Sequence, residues 1–139
     1  MRAVVCSKLG EPNLLEIKEV EKPIISNDEV LIKVEVAGVN FPDALLVQGK
    51  YQIVIDPPFI PGNEVCGIIE DKGENVDLSV GTKVIGIPPI GGFAEFVAIN
   101  KNLVIPVDEN FNSLAGASLP INYGTCLLYT SPSPRDSLS

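Results

Sequence analysis

Asn40, Asp43 and Tyr51 stand close together in the stretch AGVNFPDALLVQGKY, residues 37–51. An amide, a carboxylate and a phenol at one edge of a folded domain can orient a small molecule by hydrogen bonding, and Asp43 is the group among them that could act as a catalytic acid. Each also has a structural role to weigh. Asn40 suits the N-cap of a helix, with Pro42 in the first turn, where a missing N–H costs nothing, and Asp43 three residues after the cap, facing the orphan amides. In that role Asp43 is the partner of the helix dipole. Tyr51 can equally be a surface aromatic packed on the proline-rich stretch just after it.

Two elements must position these groups. Residues 29–37 (EVLIKVEVA) alternate Val30, Ile32, Val34 and Val36 with Leu31, Lys33 and Glu35, the period of a half-buried strand, and Gly38 breaks the pattern. A helix comes next, from the Asn40 cap to about Gln48, with Gly49 as its left-handed stop. Upstream, residues 2–7 and 14–20 read as a hairpin, Leu15 and Ile17 alternating in its second strand. Downstream, IVIDPPFIPG carries Pro57, Pro58 and Pro61, too many for a ladder strand, and reads as an extended connection over the surface. Further strands are expected at residues 65–71, 83–87, 93–99 and 103–106, and a short helix at residues 113–119. Many short strands punctuated by Gly and Pro, with little helix, predict a mainly β fold built as a partly open barrel.

Composition narrows the function. The formal charge is −8, from 18 acidic against 10 basic residues, and no Lys or Arg run could track phosphates, so nucleic acid is not an expected partner. The apolar start at residues 1–6 is too short for a signal peptide, and the uncharged run at residues 111–134 is broken by Asn112, Pro120 and Asn122, so a cytoplasmic, non-membrane protein is expected. Cys6, Cys66 and Cys126 are odd in number and far apart, which suits buried free thiols better than a disulfide framework or a CxxC metal site. From Cys126 the composition changes to CLLYTSPSPRDSLS, which has no apolar periodicity and looks like the translation of a sequencing-library adapter. Residues 1–125 are therefore the expected domain, and residues 126–139 a non-native tail.

At AGVNFPD, QGKY, PGNEVCG, GGFAEFV and LPINYGT the chain resembles the amino-terminal, GroES-like half of the medium-chain dehydrogenase/reductase superfamily, within it the zinc-free quinone oxidoreductases related to zeta-crystallin. The resemblance covers nearly all of residues 1–125. In zinc-dependent relatives the positions matching Asn40 and Asn63 hold a Cys and a His that bind the metal; here both are amides, and the chain contains no histidine, so no zinc is expected. Without a Lewis acid, oxidation of a simple alcohol is disfavoured, and an electrophilic substrate fits better.

The resemblance implies a fragment of an enzyme that passes hydride from NADPH to a quinone or an electron-poor alkene. It implies that Asn40 and Thr125 lie near the nicotinamide and that Tyr51 lines the substrate cleft. Asp43 joins Asn40 and Tyr51 as a candidate catalytic residue. Glu64, which matches a Glu beside the metal in zinc relatives, is a candidate for the cofactor-binding set, with orientation of its neighbours as the other role open to it. No GxGxxG turn follows a strand, so the Rossmann domain that would bind most of NADPH is expected to be absent; the resemblance implies that the parent enzyme is a homodimer. A non-catalytic binding or structural protein built on the same domain is the alternative.

Overall fold

A computed structural model of the chain describes residues 1–118. Strands β1 (Arg2–Val5) and β2 (Glu16–Glu19) pair antiparallel as the expected hairpin. Five more strands form one antiparallel sheet: β3 (Glu29–Ala37), β4 (Val65–Lys72), β5 (Lys83–Gly86), β6 (Phe96–Asn100) and β7 (Val104–Pro106), in the order β6-β3-β4-β5-β7. Two short α-helices, α1 (Phe41–Val47) and α2 (Ser113–Ser118), and two 3-10 turns, Pro12–Leu14 and Lys101–Leu103, complete the described elements. The fold is mainly β, as expected, and the sheets stay open rather than closing into a barrel. No helix among the described residues is long and apolar enough to cross a membrane.

The core lies on one face of the larger sheet. Val30, Ile32, Val65, Ile69 and Val84 are fully buried there, with Val97 and Ile99 from β6. Each such side chain contributes about 1.5–3 kcal/mol by leaving water. β3 is paired on both edges, by β4 and β6, and Leu31, between Val30 and Ile32, is buried as well. Two register shifts interrupt the β3–β4 ladder, one of them between Val34 and Val36. A bulge of this kind bends a strand and re-aims the residues beyond it. The bent end of β3 delivers Gly38 to β4's approach, where its N–H donates to the Glu64 carbonyl at 2.8 Å.

Four expectations are corrected. The proline-rich connection does not stay on the surface: Phe59 is buried and exchanges backbone hydrogen bonds with Cys6, at 2.8 and 3.2 Å, in a second apolar cluster with Leu46 and Val47 of α1. Burying one phenyl ring outweighs keeping the segment extended, and the prolines bring no N–H that burial would strand. The strand expected from Phe93 begins at Phe96; before it, Ala94 makes an isolated bridge to Ala3. Leu14 belongs to a 3-10 turn, Pro12–Leu14, and not to β2. Ile17 is 77% exposed, because β2 is an edge strand paired only with β1 and no second layer covers that face.

Helix α1 ends as its sequence predicts. Gly49 takes φ 70°, its N–H reaches the Leu46 carbonyl at 3.1 Å, and the Lys50 N–H reaches Leu45 at 2.9 Å. That pair of bonds is a Schellman stop. Helix α2 packs over β4 and β3, burying Ala117 with Cys66 and Ile85.

Candidate functional site

Asn40 takes the N-cap position of α1, with extended backbone (φ −120°, ψ 161°), and shares a capping box with Asp43, although its side-chain oxygen faces the Asp43 N–H without reaching full hydrogen-bond geometry. The local sequence supplies the reason. A capping side chain serves the N–H of the second or third helical residue. The second is Pro42, which has none, and the third, Asp43, already donates its N–H to the Asn40 backbone carbonyl at 3.0 Å. The oxygen of the Asn40 amide therefore stays at the helix end while its nitrogen turns to the neighbouring loop. Its Nδ2 donates to Asn63 Oδ1 at 3.1 Å and to Glu64 Oε2 at 3.5 Å. Asn40 is 5% exposed and Glu64 fully buried, and among the described residues Asn40 Oδ1 has no partner in full hydrogen-bond geometry.

Two devices hold this cluster. The Gly38 to Glu64 backbone bond ties the end of β3 to the start of β4, and a Cβ at Gly38 would overlap the Ala117 carbonyl, so α2 closes over the same corner. Asp43 supplies the other. Its carboxylate accepts from the Asn40 N–H at 2.8 Å and from the Gly62 N–H, clamping α1 to the loop that carries Asn63. Gly62 has φ 110°, and a Cβ there would meet the Phe93 ring and backbone, so this loop needs glycine.

Asp43 is buried, and desolvation pushes its carboxyl above the ordinary aspartate value while the Asn40 and Gly62 N–H groups pull it down. A carboxyl raised in the folded state adds stability below its unfolded pKa and loses that contribution as pH rises through the folded value. Wild-type chain should therefore gain stability relative to Asp43→Asn as pH falls. Urea unfolding of both proteins at neutral pH and at about pH 4 checks this; a gap that stays constant, or moves the other way, would show that burial does not control Asp43.

Asn40, Asp43 and Glu64 are thus brought together. Tyr51 lies just beyond α1, 37% exposed, and no hydrogen bond among the described residues joins it to them. Thr125 lies outside the described residues. Asn63 enters the sequence reading only as the amide in a zinc ligand's place, and its role here comes from a contact across 23 positions. Cys6 and Cys66 are buried and free, and burial raises both thiols, so neither is poised as a nucleophile. Among the described residues no group of three or more His, Cys, Asp or Glu gathers as metal ligands would. A cavity of about 410 Å³, lined by Val5, Val20, Phe59 and Ile90, lies apart from the cluster. Around the cluster itself the surface is apolar: Val39 and Phe41, on either side of Asn40, are 78% and 75% exposed.

Comparison with known proteins yields a family match and longer relatives. The alcohol dehydrogenase GroES-like domain family matches residues 26–109. Quinone oxidoreductase-like protein 2 of Bos taurus is 35% identical over 127 residues, covering 91% of this chain and 36% of that protein. Quinone oxidoreductase of Mus musculus is 34% identical over 128 residues, 90% of this chain and 39% of that one. The quinone oxidoreductase of Thermus thermophilus, solved also as a complex with NADPH, superposes with a TM-score of 0.79 at 35% identity, over 92% of this chain and 39% of that one. The chain thus spans little more than a third of the length of the curated relatives it matches.

Proposed function

Because the chain belongs to the alcohol dehydrogenase GroES-like domain family, we propose that it is the catalytic-domain segment of a longer, zinc-independent oxidoreductase that passes hydride from NADPH to a quinone or an electron-poor alkene. The observation that carries this reading is the buried Asn40 amide at the start of α1, whose oxygen meets no donor in full hydrogen-bond geometry among the described residues. Such an acceptor suits a ligand that brings an N–H or O–H group, as the nicotinamide carboxamide does. NADPH, when bound, supplies the hydride.

The chain's own residues hold and orient. Asn40 presents its amide to the ligand, and Glu64 accepts from that amide. Asp43 acts through the helix terminus it clamps, as a positioning residue and not as an acid. Tyr51 and Thr125 remain the proposed cleft and nicotinamide contacts, and Val39 and Phe41 the apolar surface for a second, nucleotide-binding domain. Zinc is not part of the reading, because amides at positions 40 and 63 replace the thiolate and imidazole that zinc prefers. Residues 126–139 are read as foreign sequence, and the parent enzyme as a cytoplasmic homodimer.

The test is to sequence the source DNA across the codon for Thr125. The frame should run on into a strand and a GxGxxG turn, and the full-length product should oxidise NADPH with quinones or haloacrylates. A frame that reads through to a stop after Ser139, giving a protein without NADPH-dependent reduction, overturns the reading. The 139-residue chain by itself should show no tight NADPH binding in titration calorimetry, since most of the cofactor's contacts are assigned to the missing domain. Tight binding would sink that assignment.

A further inference from the structure

Asp43, Ala44 and Val47 share one face of α1, Val47 being one turn beyond the other two. Ala44 ends in a methyl, so a gap stays open above it. Pro12 and Leu15, from the connection leading into β2, and the Phe93 ring turn that gap into a cavity of about 220 Å³. Its exposed wall is apolar throughout, because the Asp43 carboxylate is turned to the Asn40 and Gly62 N–H groups. Val39, also part of the wall, is 78% exposed and stands at the mouth. The cavity is held from two sides. Asp43 clamps α1 to Gly62, and the Phe93 N–H donates to the Pro61 carbonyl at 2.9 Å while its ring comes within 2.7 Å of where a Gly62 Cβ would stand.

We infer that this cavity binds a compact hydrocarbon group, the size of a prenyl or phenyl substituent, and that the enzyme takes quinones or alkenes bearing one. The inference rests on the reductase reading for the molecule that carries the group, but the cavity itself belongs to this chain. Size sets the upper limit. An apolar cavity of roughly 150 Å³ already admits benzene, so about 220 Å³ leaves room for a branched chain or a ring with a small substituent. Water bound there would need about two to four polar partners, and the wall offers none. An apolar group that displaces such water gains affinity. The quinone ring itself brings two carbonyl oxygens that a dry wall cannot satisfy, which leaves the hydrocarbon substituent as the occupant. Position points the same way, since ligand sites favour domain boundaries. Val39 belongs to the apolar surface assigned above to the second domain and is the residue before Asn40. The larger cavity, lined by Val5 and Ile90, includes none of the site residues.

Binding is read first in the 139-residue chain by methyl NMR during titration with toluene. The Val39, Ala44 and Val47 methyl signals should shift saturably, and Ala44→Leu, which fills the cavity, should raise the dissociation constant by about tenfold. Leu15→Phe fills the same space from the hairpin side and takes over as the test if Ala44→Leu does not fold. Shifts confined to Val5, Val20 and Ile90 would place the hydrocarbon in the other cavity and overturn the assignment, as would the absence of any saturable shift. Substrate choice is read in the full-length enzyme. Ala44→Leu should lower the ratio of kcat/KM for a prenylated benzoquinone to that for unsubstituted benzoquinone by about tenfold, mainly through KM. Comparing this ratio between variant and wild type cancels the intrinsic reactivities of the two quinones. An unchanged ratio overturns the substrate role. A full-length protein that oxidises NADPH with neither quinone would instead refute the reductase reading, and the toluene titration would still judge the cavity.

Discussion

Ile32→Ala should cost the chain about 3 to 4 kcal/mol of unfolding free energy. Ile32 is fully buried on the central strand, and it meets its neighbours at points where they have no side chain. A Cβ on Gly67 would lie 2.9 Å from Ile32 Cγ2, and one on Gly86 would lie 3.3 Å from Ile32 Cδ1 and 2.6 Å from Ile99 Cδ1. Gly67 and Gly86, on the two strands beyond β3, thus open the space that Ile32 fills. With the isoleucine gone, glycines cannot lean in to close the cavity, so little of the loss is recovered by relaxation. Chemical denaturation measures the cost, and a loss below about 1 kcal/mol would show that the site collapses.

The same geometry predicts coupling. Gly86→Ala alone should destabilise by about 1–3 kcal/mol through overpacking against Ile99 and Ile32. In the Ile32→Ala background the new methyl has room, because Ile99 can shift into the vacated volume. The double variant should then be more stable than the sum of the single losses by about 1 kcal/mol. Strict additivity would mean that the two residues do not share that space.

Much of this arrangement is legible in the chain because it depends on local rules. The long strand Glu29–Ala37, the helix after Asn40 and its stop at Gly49 derive from alternation, capping and a left-handed glycine, each acting over a few residues. The burial of Phe59 is not legible, since three prolines around it signal a surface connection while its partner Cys6 lies far away in sequence. The exposure of Ile17 is hidden for a related reason: alternation marks an apolar face but does not say whether a second layer covers it. At the site, Asn40 reads as a good cap because it is one by position. What its type conceals is that Pro42 removes one N–H and the backbone takes the other, so the amide nitrogen turns to a partner supplied by a distant loop. Asn63 is visible in the sequence as a residue and invisible as a contact.

Asn40→Asp should be the most damaging conservative change at the site, costing about 3 to 4 kcal/mol at neutral pH, the scale for leaving a buried charge uncompensated. The substitution keeps shape and replaces the Nδ2 donor by an oxygen. That oxygen would face Asn63 Oδ1 and Glu64 Oε2 in place of an N–H, in a spot where Asn40 is 5% exposed and Glu64 fully buried. Two carboxyls so close and so dry cannot both ionise cheaply, and the pair holds a proton to a pH above the ordinary carboxylate range. A pKa raised in the folded state means that the penalty is present above that value and fades as pH falls through it. Asn40→Ala is the control: it loses the two hydrogen bonds, for about 1–2 kcal/mol, and adds no charge, so its cost should vary with pH far less than that of Asn40→Asp. Unfolding curves of both variants across the acid range separate the two effects. Equal costs at neutral pH, or a loss in Asn40→Asp that does not recover on acidification, would mean that the Asn40 side chain does not face Glu64, and the buried amide at the centre of the functional reading would have to be placed elsewhere.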